Sequence, residues 1–147
     1  MKPHDLAPDF ELPDQFGVPR RLSTLLSDGP VALFFYPVAS SGGCTKEMCA
    51  VRDRSAEFQA VGAQRVGISR DSVAAQLRFA EENGLDFPLL SDADGAVCAA
   101  YGVARSMAAA PVKRRTIVVG TDGRVADVVR SEFRFGQHAA KALDALG

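Results

Sequence analysis

"VALFFYPVASSGGCTKEMCAVRD", residues 31–53, decides the fold. Its first six residues, Val31 to Tyr36, are a continuous apolar run rich in β-formers. Such a run fits a strand buried on both faces, in a sheet covered by helices. Pro37 ends it, because proline brings no donor to the ladder. A Ser-Ser-Gly-Gly loop follows, and then Cys44, Met48, Val51, Phe58 and Val61 recur at helical steps. That stripe predicts a helix over residues 44–61 with Cys44 in its first turn, facing the core. Two of the chain's three cysteines, Cys44 and Cys49, therefore lie on one helix, five residues apart.

Outward from this segment the chain reads as alternating elements. Gln64 to Ser69 is a second short strand. "DSVAAQLRFAEENG" is a helix capped by Asp71 or Ser72 and ending near Asn83 and Gly84. "DFPLLSD" is extended and "DGAVCAAYG" is a short helix. "RRTIVVG", "TDGR" and "VADVVR" form a hairpin turning at Asp122-Gly123, and "GQHAAKALDAL" is a closing helix. The first thirty residues are turn-rich, broken by Pro8, Pro13 and Gly17. The order β-α-β-α, then β-β-α, predicts an α/β domain of thioredoxin-like order, with a mixed central β-sheet flanked by helices and an N-terminal β extension. With no internal repeat or linker, residues 1–147 read as one domain.

Composition narrows the function. Lys and Arg number 17 against 18 Asp and Glu, for a net charge of −1. No basic run suits nucleic acid, no apolar run could cross a bilayer, and the N-terminus has no apolar signal core. The expectation is a cytoplasmic protein, where a close cysteine pair points to redox chemistry more than to a permanent bridge. His4 and His138 have no ligand spacing to any cysteine, so no metal or other cofactor is expected. Cys98, beside Val97 and Tyr101, reads as a buried small side chain.

The helix start gives Cys44 its chemistry. Unpaired N–H groups and the positive end of the dipole favour a sulfur anion, which is the nucleophilic form. Glycines here, Gly43 next to the sulfur among them, let the backbone approach a small substrate. Five helical residues advance about 7.5 Å and rotate about 140°, placing the two Cα atoms roughly 8–9 Å apart. A disulfide needs them within about 7 Å. A bond between the two thus requires the first turns to unwind.

The pattern Pro37-x-x-x-Ser41-x-x-Cys44 resembles the active-site segment of the peroxiredoxins, and a second cysteine five residues on is similar to the bacterioferritin comigratory protein, or Q-type, subgroup. "APDFELPDQFG", "GISRDS", "FPLLSD" and the Arg-x-Thr of "RRTIVV" agree along nearly the whole chain. The resemblance implies a thioredoxin-dependent thiol peroxidase. Cys44 would attack a hydroperoxide and become a sulfenic acid, and Cys49 would resolve it as an intramolecular disulfide. Ser41 would hydrogen-bond the peroxide and the sulfur. Pro37 would shield the sulfur from water, Arg114 would stabilise the anion, and Glu47 would hold that arginine. The implied partners are a hydroperoxide and a thioredoxin-type dithiol, and the implied state is a monomer. Arg115 points to the opposite strand face and, with Lys113, is expected at a solvated edge. A peroxide sensor on the same fold, or Cys98 as resolving thiol, are the alternatives. The subgroup commonly carries threonine at position 41 and proline at 42. Ser41 and Gly42 here predict a looser loop.

Overall fold

In a computed structural model, which describes residues 1–106, 111–132 and 134–146, a five-stranded sheet separates two apolar layers. Its strands are β3 (Val31–Phe35), β4 (Gln64–Ser69), β5 (Leu89–Ser91), β6 (Arg115–Val119) and β7 (Val125–Val129). They lie in the order β5-β4-β3-β6-β7. β3 pairs parallel with β4, and β4 with β5. β6 runs antiparallel to β3 and forms the expected hairpin with β7. The sheet is therefore mixed, and the α/β thioredoxin-like reading holds. A separate two-stranded ribbon, β1 (Glu11–Pro13) with β2 (Pro19–Arg21), is the N-terminal extension.

β3 lies at the centre because every residue in it is buried. Its alternating side chains feed two cores. Leu33 and Phe35 face a layer containing Phe10, Leu22, Cys98, Tyr101 and Val112. Ala32 and Phe34 face a layer containing Cys44, Met48, Val51, Phe58, Phe79 and Ala139. The helices α1 (Leu22–Leu25) and α5 (Ala96–Ala100) contribute to the first layer. The second is covered by α2 (Gly42–Asp53), α3 (Ser55–Ala60), α4 (Val73–Asn83) and α6 (Gln137–Leu146). Cys44 and Cys98 thus lie on opposite sides of the sheet.

Local chemistry sets the helix ends. Ser72 caps α4 by accepting from the Ala75 N–H, and Gly84 ends it in the left-handed region at φ 59°. The predicted single helix over residues 44–61 is instead two. Arg54 leaves helical geometry at φ −102°, ψ 21°, and α3 starts at Ser55. The physical reason lies in the stripe itself. In a continuous helix Val61 would sit about 100° off the face set by Cys44, and it is in fact exposed, whereas Phe58 is fully buried. The break turns Phe58 into the core, edge-on to Phe34 with ring centroids 6.2 Å apart.

That contact carries a stability prediction. Phe34→Ala should lower unfolding stability by about 3–5 kcal/mol, read as a shifted midpoint in urea. A change below about 1 kcal/mol would mean that Phe34 does not pack against Phe58 in the second layer.

Candidate active site

The loop after β3 and the first turn of α2 build the site. Ala39 donates its backbone N–H to the Asp71 carboxylate at 2.8 Å, tying the loop to the end of β4. Ser40 turns the chain at φ 64°, a left-handed conformation that few non-glycine residues adopt. Ser41 is the N-cap, its Oγ accepting from the Cys44 backbone N–H at 3.3 Å. Gly42 and Gly43, expected in a loose loop, are instead the first residues of the helix. The Ser41 cap gives one of the helix's otherwise unpartnered N–H groups an acceptor. Pro37 is half-buried just beyond the strand.

Gly43 has a specific steric role. A Cβ built on it would fall 2.7 Å from the Phe135 ring and 3.1 Å from Arg114 Nη2. The Phe135 ring lies against the arginine, with the guanidinium carbon 4.7 Å from its centroid. Only the absence of a side chain at residue 43 lets aromatic ring, guanidinium and helix turn meet.

Cys44 is fully buried. Arg114, one residue before β6, donates from Nη2 to Cys44 Sγ at 3.4 Å and from Nη1 to Glu47 Oε1 at 2.5 Å. Glu47 lies one turn along α2 from Cys44 and is also fully buried. The Arg114 Nε donates to the Glu132 carbonyl at 3.1 Å. Burial opposes the charge of Arg114, but Glu47 and Cys44 hold its pKa above the ordinary value. Burial likewise pushes Glu47 up to about 8, against the pull of Arg114. Of the two candidate arginines, Arg114 is therefore the one facing the sulfur.

Arg115 corrects one expectation. Rather than standing at a solvated edge, it is partly buried, donating to the Arg114 carbonyl at 2.9 Å and to Glu132 Oε1 at 3.2 Å. Arg105 reaches the same Glu132 oxygen at 2.7 Å. Glu132 thus gathers the segments around Arg114, a role that no spacing in the sequence announces.

Cys49 lies half-buried on the same unbroken α2, its Sγ 3.8 Å from Asn83 Oδ1 at the end of α4. Arg52 donates to the Asn83 carbonyl at 2.5 Å and pairs with Asp53. All three cysteines are free thiols. Cys98 is buried under backbone N–H bonds to Asp92, and burial followed by Asp92 drives its thiol pKa up. His138, set aside in the sequence as a lone histidine, is fully buried within reach of Glu47. Its partner Thr116 lies on β6, 22 residues away, so only the fold could reveal the contact.

The chain is similar to known proteins along nearly its whole length. The AhpC/TSA family model matches residues 3–128. The crystal structure of the peroxidoxin BcpB from Mycobacterium tuberculosis superposes with a TM-score of 0.95 at 57% identity, covering 99% of this chain and 96% of that one. Peroxiredoxin Bcp of Escherichia coli is 35% identical over 151 residues, spanning 99% of this chain and 96% of its own. The bacterioferritin comigratory protein of Xanthomonas campestris, described for its alkyl peroxide reduction activity, superposes with a TM-score of 0.84 at 30% identity, covering 93% of this chain and 89% of that one. The family match over most of the chain, the identity to these relatives and the superposition together show that the chain belongs to the AhpC/TSA family as a peroxiredoxin, a peroxidase acting through thiol chemistry.

Proposed function

We propose that Cys44 is the peroxidatic thiol and Cys49 the resolving thiol of an atypical two-cysteine cycle within one chain. The observation that carries this reading is the Arg114 guanidinium bonded to Cys44 Sγ. The sulfur anion attacks one peroxide oxygen, the O–O bond breaks, and Cys44 becomes a sulfenic acid while water or an alcohol leaves. Arg114 supplies fixed donors to the anion and to the departing oxygen. Ser41 Oγ spends its acceptor on the Cys44 N–H, which leaves its own proton to donate toward the peroxide. Pro37 walls the sulfur from water, Gly43 keeps the approach open, and Glu47 holds Arg114.

In the second step Cys49 attacks the sulfenic sulfur, expelling water and forming the disulfide. Both cysteines lie on the unbroken α2, so its first turns open for this step. Cys98 is unsuited to the role, since it lies across the sheet in the other core. A thioredoxin-type dithiol then reduces the disulfide. The alkyl peroxide activity of the Xanthomonas relative favours organic hydroperoxides as well as hydrogen peroxide as substrates. Because both thiols lie in one chain, one domain acting as a monomer in the cytoplasm suffices. Among the described residues no helix is long and apolar enough to cross a membrane.

Rapid-mixing kinetics tests the reading. Wild-type protein should be oxidised by peroxide far faster than a free thiol, and Arg114→Met should lose roughly 10²- to 10³-fold of that rate. Cys49→Ser should stop turnover with thioredoxin while Cys44 accumulates as sulfenic acid. Oxidation no faster than a free thiol's would sink the reading. A second expectation concerns the contact at residue 43. Gly43→Ala should slow oxidation roughly 10- to 100-fold by displacing Phe135 and Arg114, and adding Phe135→Ala should recover part of the loss. A fully active Gly43→Ala would show that this contact does not position the arginine.

A further inference from the structure

The site holds one cation between two acids, and its surroundings say which acid carries the charge. Arg114 reaches Cys44 Sγ and Glu47 Oε1, while Glu47 Oε2 is buried with no hydrogen-bond partner among the described residues. The polar atom facing it is His138 Nδ1 at 3.7 Å. Ser131 supplies a carbonyl, which can only accept, at 2.6 Å from His138 Nε2, so the ring proton is on Nε2. In the neutral ring Nδ1 carries a lone pair and accepts the Thr116 hydroxyl at 2.7 Å. Burial lowers the His138 pKa, in keeping with a neutral ring. An ionised Glu47 would turn a bare, fully desolvated oxygen toward a lone pair, which is unfavourable.

The remaining charged or titratable groups around the pair are Cys44 on α2, Arg114 and Arg115 at the start of β6, and Glu132 in the following loop. Glu132 is itself bonded by Arg105 and Arg115, so it needs no share of Arg114's guanidinium charge. That leaves one guanidinium for two buried acids, and two anions there would leave one uncompensated.

We propose that Glu47 rests as a neutral carboxylic acid while Cys44 is the anion, and that the two exchange charge: when the sulfur loses its negative charge, Glu47 ionises and takes over Arg114. Oε1 of the neutral acid still accepts from Nη1, so the arginine stays in place in both states. The proposal rests on the reading of Cys44 as the reacting thiol and deepens it. Over the oxidation step the exchange balances: the sulfur anion, the hydroperoxide and the Glu47 acid become the sulfenic acid, water or an alcohol, and the Glu47 carboxylate. Sulfur loses two electrons to the O–O bond, and the departing oxygen ends with the proton that Glu47 gives up. Glu47 is then a proton store for the reaction as well as the residue that holds the arginine.

Infrared difference spectroscopy near neutral pH tests this without turnover. The reduced protein should show the carbonyl stretch of a buried protonated carboxylic acid, and Glu47→Gln should remove it, which assigns the band. Cys44→Ser, whose hydroxyl is neutral, should also remove it, because Glu47 then ionises against Arg114. No such band in the reduced protein would overturn the proposal, and a band that persists in Cys44→Ser would overturn the exchange. Neither outcome depends on whether peroxide oxidises Cys44, so failure here is distinct from failure of the proposed function.

Stability supplies an independent readout. Burial raises the Glu47 pKa in the folded protein to about 8, from an ordinary value of 4.5. The folded state therefore holds more protons between those values, and stability from this group falls as pH rises through that window. Relative to Glu47→Gln, the wild-type unfolding constant should grow by up to about tenfold per pH unit there. Parallel profiles for the two proteins would contradict a neutral Glu47.

Discussion

The fold is arranged around one buried guanidinium. Arg114 comes from the start of β6 and meets Cys44 and Glu47 from α2, so it joins sheet and helix through charge beside the second core layer. Burying an arginine is costly unless its charge and donors find partners, and here each of its three side-chain nitrogens donates. Nη1 goes to Glu47, Nη2 to the sulfur and Nε to the Glu132 carbonyl. Phe135 lies against the plane. The same bonds that make its burial tolerable hold it against the Cys44 sulfur, the proposed reacting atom.

This constraint explains details that otherwise look unrelated. Gly43 is bare because the ring and the guanidinium need its space. Ser41 turns its oxygen inward to cap the helix, which fixes the position of the Cys44 N–H. Glu132 collects Arg105 and Arg115 and holds the chain beside Arg114 through its own carbonyl. Cys49 is kept apart from Cys44 by the intact helix and lies against Asn83. In the proposed cycle, opening that helix gives up the Ser41 cap and the arginine's bond to the sulfur together. The bond to the sulfur is the one that oxidation has already weakened.

Much of this was legible in the sequence, because local patterns carry it. The apolar run of β3, the Asp122-Gly123 hairpin and the Ser72 and Gly84 ends of α4 each depend on a few neighbouring residues. The motif from Pro37 to Cys44 points to the candidate site for the same reason. What was hidden depends on distant partners. His138 looked isolated because Thr116 and Ser131 reach it only across α6, β6 and the loop between β7 and α6. Arg115 reads from sequence as a solvated edge residue because its partner Glu132 lies 17 residues away. The break at Arg54 leaves little local trace, because Phe58 falls nearly on the Cys44 face and only Val61 drifts off it.

Peptide mapping by mass spectrometry, after one equivalent of peroxide, tests the central assignment most directly. The account predicts a single new disulfide joining the peptides of Cys44 and Cys49, with Cys98 still a free thiol. A protein whose Cys44 remains reduced while another cysteine is oxidised would contradict it.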